Sequence, residues 1–305
     1  EDSATVLFNT YTAGDTTSPL VQIEDEDSDA TVNLDSQSNV EGILETGDYG
    51  LELDSQSFDA IENDNADTVG DLVIEERSIE AFNIWTASTT TVSDLEDVDD
   101  ATAAVQNDTI PQTDTIAAGD EVVHELQATG LEGLVETGVE NQTLSDEDEG
   151  LLAALSTDDN AGFELTIEQA DAPPNAEPKA VDLSAVADSD DGITVIEGDG
   201  AYYIAFDTAA VEFEDGSSPD FGEELEVSLD IKDERLLDPD EDELDDGDIE
   251  DFYQTVTAQF SVEEPVGSFN TPVEVSNAEA QTISGETNVA PGTTLNVRVR
   301  SADAV

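Results

Sequence analysis

Carboxylates outnumber basic side chains so heavily in this chain that charge, before hydropathy, decides what it can fold into. Of its 305 residues, 78 are Asp or Glu and six are Lys or Arg, for a formal net charge of −72. In dilute buffer that charge repels itself and opposes any compact state. High net charge with 5% aromatic residues is also a signature of disorder. Against disorder stand 37% hydrophobic residues and several clear period-two apolar segments. Concentrated salt reconciles the two: near 1 M the Debye length falls to about 3 Å, and surface carboxylates hardly feel one another. The composition therefore predicts a folded protein that works in brine.

The same numbers exclude several functions. Without a basic stripe there is nothing to displace counterions from nucleic acid, so no nucleic-acid partner is expected. Cysteine is absent, which removes disulfide, thiolate and Cys-zinc chemistry. Methionine is absent too, so the expectation is a processed or excerpted chain without its translational start. No apolar run approaches the roughly 20 residues that span a bilayer. Membrane attachment is expected only through a segment beyond Val305.

Strand patterning dominates. Thr5–Tyr11, Leu20–Ile23 and Leu72–Ile74 read as short strands, and Tyr49, Leu51 and Leu53 alternate with polar residues. Phe163, Leu165 and Ile167 form one apolar face, as do Tyr202, Ile204 and Phe206. Leu225, Val227, Leu229 and Ile231 form another, and Val256, Ala258, Phe260 and Val262 a fourth. Apolar-in, polar-out alternation is the mark of antiparallel sheets with one wet side. Two helices interrupt it. Ser93-Asp-Leu-Glu96 resembles a capping box ahead of Leu95, Val98, Thr102 and Val105. Ser145-Asp-Glu-Asp148 opens a second helix carrying Leu151, Leu152 and Leu155. The fold class is all-β with minor helical insertions.

A repeated phrase divides the chain. Glu75–Asn83 reads EERSIEAFN and Glu263–Asn270 reads EEPVGSFN, the same words with one residue inserted. Two equivalent joints imply three units. These are a first β-sandwich over 1–77, a larger β-sandwich with helical insertions over 78–264, and the start of a third, truncated unit over 265–305. The third contains the alternating Leu295, Val297 and Val299, after a type II turn signal at Ala290-Pro291-Gly292. About 40 residues remain for it, against about 100 in an immunoglobulin-like sandwich.

Candidate sites are few. Asn107-Asp108-Thr109 and Asn141-Gln142-Thr143 match the N-glycosylation sequon, making Asn107 and Asn141 the candidate carriers of N-linked glycan. The densest acidic run, Asp238–Asp251, offers Asp238, Asp240, Asp242, Asp245, Asp246 and Asp248 as oxygen ligands for a hard cation, Ca²⁺ or Mg²⁺. It departs from the EF-hand pattern at Leu244, and a solvated acidic loop is the plainer reading. Asp188-Ser-Asp-Asp-Gly192 is a weaker candidate of the same kind. His124, the single histidine, shares a strand face with Val122 and Leu126 and reads as a packed, hydrogen-bonded core residue. Gly198-Asp-Gly200 lacks the third glycine of a dinucleotide loop, Tyr203 standing there. Neither a phosphate-binding loop nor a nucleophile elbow occurs, and no carboxylate pair stands out for glycoside hydrolysis.

The run QTISGETNVAPGTTLNVRVRSADAV, Gln281 to Val305, resembles the haloarchaeal surface (S-layer) glycoprotein family, in which such a phrase opens an immunoglobulin-like repeat. Thr109–Thr115, Gly119–His124 and Thr129–Leu134 carry the cadence of that family's N-terminal region. The resemblance implies tandem immunoglobulin-like β-sandwich domains, export to the cell surface, glycosylation, and self-association into a lattice stabilised by divalent cations. It implies a structural protein without enzymatic activity. A surface adhesin or filament-associated binding protein is the alternative, and a secreted polysaccharide-acting enzyme ranks third.

Overall fold

A computed structural model of the chain describes residues 6–8, 10–13, 21–23, 44, 46–54, 66–133, 163–172, 176–187, 192–198, 200–232, 236 and 253–300. Its centre is a sandwich of two four-stranded sheets. In chain order the strands are β1 (Val6–Phe8), β2 (Val21–Ile23), β3 (Gly47–Leu53), β4 (Thr68–Ile74), β5 (Ser78–Ala87), β6 (Thr115–Ala117) and β7 (Glu121–Thr129). There follow β8 (Phe163–Gln169), β9 (Ile193–Gly198), β10 (Ala201–Asp207), β11 (Glu224–Ile231), β12 (Gln254–Glu263), β13 (Gly267–Phe269) and β14 (Gly285–Thr287). Short helices α1 (Thr89–Ser93), α2 (Val98–Gln106) and α3 (Leu183–Ala187) interrupt them.

The first sheet runs β5-β7-β10-β9, all antiparallel, and the second runs β6-β12-β11-β8, antiparallel except where β6 meets β12. Their facing sides make the core. In the first sheet Ile204 lies opposite His124, Tyr202 opposite Leu126 and Phe206 opposite Val122. In the second, Val227 is flanked by Ile167 and Ala258, and Leu229 by Leu165 and Val256. All four apolar faces read from the sequence thus meet in one cluster, with Phe163 lying where its strand begins. Tyr11 joins the same cluster from the N-terminal region.

The two sheets differ in how many faces they bury, and the sequence carries that difference. In β11, Glu-Leu-Glu-Val-Ser-Leu-Asp-Ile alternates strictly, with Leu225, Val227, Leu229 and Ile231 buried and the residues between them wetter. In β10, Ala-Tyr-Tyr-Ile-Ala-Phe-Asp does not alternate, because the first sheet is covered on both sides. Its outer face holds Val123, Tyr203 and Ala205, roofed by Val92 of α1 and by Ala101 and Ala104 of α2. Alanines let α2 lie close to the sheet, and Gly198 of β9 lets Val98 closer still.

The helix start differs from the sequence expectation. Ser93 ends α1, donating its hydroxyl back to Thr89 O at 2.7 Å. The cap of α2 is Asp97, whose Oδ1 accepts from Asp100 N at 2.9 Å, with Asp99 and Asp100 in the positive first turn. Asp97, four residues further on, is free to satisfy the orphan donors of α2, whereas Ser93 is already engaged within α1. The helix expected at Ser145–Leu155 falls outside the described residues.

Both copies of the repeated phrase lie where an irregular segment enters a strand. Residues 75–77 lead into β5, and 264–266 lead into β13. Phe82 of the first packs against the core, whereas Phe269 of the second is exposed. Beyond β14, Leu295, Val297 and Val299 keep their alternation, but among the described residues no strand faces them and no ladder forms.

Candidate functional site

The clearest candidate for a modification site is the turn that ends α2. Asn107 caps the helix, its N–H donating to Ala103 O at 3.0 Å. Asp108 takes a left-handed backbone, φ 58, unusual for a residue other than glycine but well suited to short polar side chains. The chain then closes back on the helix, with Thr109 N and Ile110 N both donating to Ala104 O. Ile110 is fully buried beneath and anchors the turn, while Asn107, Asp108 and Thr109 stand exposed. Asn107 Oδ1 accepts from Thr109 N at 3.0 Å and also from the Thr109 hydroxyl. Both contacts use the oxygen. The amide nitrogen, the atom that carries an N-glycan, makes no bond within the described residues. Asn141 lies outside them.

Two buried carboxylates organise the sandwich, and sequence reasoning singled out neither. Glu125, 4% exposed, sits on the outer face of the first sheet. Its Oε2 accepts from Asn83 Nδ2 at 3.1 Å and Trp85 Nε1 at 2.9 Å, and its Oε1 from Gln127 Nε2 at 2.8 Å and the Tyr203 hydroxyl at 3.2 Å. Tyr203 also meets the Thr102 hydroxyl of α2 at 3.1 Å, tying helix to sheet. Burial pushes the Tyr203 phenol up, and the carboxylate beside it adds to the rise.

Asp120, 1% exposed, sits between β6 and β7. Its backbone carbonyl accepts the Thr208 hydroxyl at 2.6 Å, and its carboxylate reaches the segment beyond the sandwich. Oδ2 accepts Ala290 N at 2.6 Å and Oδ1 the Thr293 hydroxyl at 2.6 Å. The turn it grips is the Ala290-Pro291-Gly292 turn expected from sequence, closed by Thr293 N to Ala290 O at 3.1 Å with Gly292 at φ 95.

His124 is wholly buried, as its strand face predicts, but aromatic rings hold it rather than a good hydrogen bond. The imidazole stacks on Phe82 with centroids 5.7 Å apart and meets Phe206 and Phe260 edge-on at 5.4 and 5.7 Å. Burial pushes its pKa down to about 4, and the Ile204 backbone offsets this only in part, at a geometry too poor for a formed hydrogen bond. Gly198 and Gly200 bracket the hairpin turn between β9 and β10, and no dinucleotide loop forms there.

Three of the six basic side chains are engaged within the fold. Lys179 pairs with Asp215 at 2.9 Å and lies over the Phe213 ring, Lys232 pairs with Glu164, and Arg77 donates to Leu236 O. Arg298 and Arg300 are exposed. On the wet face of the second sheet, strand register sets Glu226 directly opposite Glu168 and Asp230 opposite Glu164. Like charges so placed are destabilising unless screened or bridged. The acidic run Asp238–Asp251 lies outside the described residues, as do Asp188–Asp191. Among the described residues no three acidic or histidine side chains converge to hold a metal ion.

Comparison with known proteins places the chain. It is 31% identical over 322 residues to cell surface glycoprotein 2 of Haloarcula hispanica and 32% identical over 330 residues to cell surface glycoprotein 1 of the same species, each match covering 99% of this chain. It is 31% identical over 299 residues to the cell surface glycoprotein of Haloferax gibbonsii, covering 97% of this chain. The chain belongs to the haloarchaeal cell surface glycoprotein family. Its location is extracellular, at the cell surface. It spans about a third of the length of these relatives, which cover 33%, 33% and 31% of their own chains in the match. No protein-family model matches it, and no solved structure does.

Proposed function

We propose that this surface glycoprotein is structural rather than enzymatic: a building unit of an S-layer or S-layer-like coat, assembled by self-association into a lattice. Rigid sandwiches present acidic wet faces, and Ca²⁺ or Mg²⁺ bridges such faces between neighbouring copies. The observation that carries this reading is the register that sets Glu226 against Glu168 on the half-exposed outer face of the second sheet. No basic side chain among the described residues pairs with either, whereas Lys232 bridges Glu164 beside Asp230. With Lys179, Lys232 and Arg77 committed to contacts within the fold, neutralising those faces falls largely to cations from the medium. The acidic run with Asp238, Asp240, Asp242, Asp245, Asp246 and Asp248 is the proposed ligand set.

N-linked glycan belongs at Asn107 and Asn141. The exposed, internally braced turn at Asn107 supports the first of these. The units over 1–77, 78–264 and 265–305 are proposed as successive domains of the coat.

The test is assembly. Purified protein in concentrated salt, with and without millimolar Ca²⁺, is viewed by electron microscopy. Two-dimensional sheets that need the divalent cation support the reading, and protein that stays monomeric under all these conditions removes it. Intact-mass measurement of protein from a haloarchaeal host, with Asn107→Gln alongside, tests the glycan.

A further inference from the structure

The turn at Ala290–Thr293 gives the segment after the sandwich a second point of attachment. Residues 264–288 are all exposed, as are 291, 292 and 294–300, while Ala290 is 4% exposed. Apart from its covalent exit at Glu263, the described part of this segment thus meets the sandwich through one buried turn. A single tether leaves a segment free to swivel, and a second fixed point removes that freedom.

The contact is built. Both oxygens of buried Asp120 are used, one on a backbone N–H and one on a hydroxyl, each at 2.6 Å. Thr91 of α1 adds a bond from its hydroxyl to Pro291 O at 3.4 Å. Gly292 lies against the same helix start, where a Cβ would fall 2.7 Å from Ser88 Oγ and 2.9 Å from Thr91 Oγ1. Asp120 is itself clamped by Thr208, whose hydroxyl also accepts Gly119 N at 2.9 Å. The exit is braced as well, Asn288 bonding both Val266 N and Glu264 O.

We infer that Asp120 is the positioning residue of a joint lock, which holds the Ala290–Thr293 turn and so fixes the direction in which the chain leaves the sandwich. Its donors are neutral and its carboxylate is out of solvent, so brine that screens surface ion pairs leaves the lock intact.

The chain has no native cysteine, so two can be placed for spin labels without interference. Gln106→Cys on α2 and Glu274→Cys on the segment are both at exposed positions. In concentrated salt the labelled parent should give one narrow distance distribution, and Asp120→Ala should at least double its width. Should Asp120→Ala fail to fold, the double variant Thr293→Val with Gly292→Val, on the partly and fully exposed residues of the turn, should broaden it likewise. Circular dichroism should report the sandwich unchanged in that variant. Hydrogen exchange in a peptide covering 288–294 should speed up at least tenfold in the same proteins. A parent distribution already broad, or a width and exchange rate unmoved by these substitutions, overturns the inference.

Discussion

Trp85 Nε1 donates to Glu125 Oε2 at 2.9 Å, so the only tryptophan of the chain reports on a buried carboxylate. Asn83, Gln127 and Tyr203 share that carboxylate. Removing the acceptor takes a partner from four donors; the Tyr203 hydroxyl keeps Thr102 and the other three are half-buried, so each loss costs on the order of 1 kcal/mol. Glu125→Ala should destabilise the sandwich by roughly 3 kcal/mol, and Glu125→Gln by less, since its amide keeps one acceptor. Urea unfolding in concentrated salt, followed by Trp85 emission, measures both. A variant as stable as the parent would show that the network is ornamental.

Gly198 and Val98 make a second coupled pair. A Cβ at Gly198 would fall 2.8 Å from Val98 Cβ and nearer still to Cγ1, and a valine has little room to turn aside. Gly198→Ala should therefore cost about 1–3 kcal/mol by overpacking α2 against β9. Val98→Ala should cost less in the Gly198→Ala background than alone. Equal costs in the two backgrounds, measured as a double-mutant cycle, would mean that the helix adjusts freely.

The strands of the second sheet were legible because each residue has one job. Leu225, Val227, Leu229 and Ile231 face inward and their neighbours face brine, so periodicity alone gives strand and face. His124 was legible for the same reason, its neighbours Val122 and Leu126 marking the face. The helix cap at Asp97 was not, because Ser93 and Asp97 offer the same chemistry four residues apart and only tertiary packing chooses. Strand partners were equally hidden, β6 joining β12 in parallel across most of the sandwich sequence.

Asp120 and Glu125 were obscured by abundance. In a chain with 78 acidic residues an aspartate after a glycine looks like any other turn. A signal did exist. Glu125 interrupts the apolar run Val122–Ala128, and a carboxylate inside a doubly buried strand must have donors. Asp120 stands two residues before the same run, and its partner turn Ala290-Pro291-Gly292 was already recognised as a turn, though nothing local links them across 170 residues.

His124 ties stability to pH in a direction that can be worked out. The unfolded chain takes up its proton near pH 6.5 and the folded one only near pH 4, so between these values the unfolded state binds more protons. The contribution is complete above pH 6.5, falls as pH drops towards 4, and is flat below. It amounts to roughly 3 kcal/mol across the window. His124→Phe keeps an aromatic ring among Phe82, Phe206 and Phe260 and should be less acid-sensitive than the parent by that amount. Carboxylate titration is common to both proteins and cancels in the comparison. Identical pH profiles would mean that the ring finds its proton without unfolding.

The opposed carboxylates of Glu168 and Glu226 give the salt requirement a local test. At low ionic strength their repulsion is felt across the ladder, and the cross-strand penalty is on the order of 0.5 kcal/mol. Near 1 M and above, screening within about 3 Å removes it. Glu168→Gln should thus stabilise the sandwich at low salt and leave it unchanged in brine, moving the salt midpoint of folding downward. Circular dichroism of parent and variant along a salt titration reads the shift. The parent itself should lose its β signal on dialysis to dilute buffer, as a net charge of −72 demands. A variant whose advantage persisted undiminished in concentrated salt would locate the effect in packing rather than in charge.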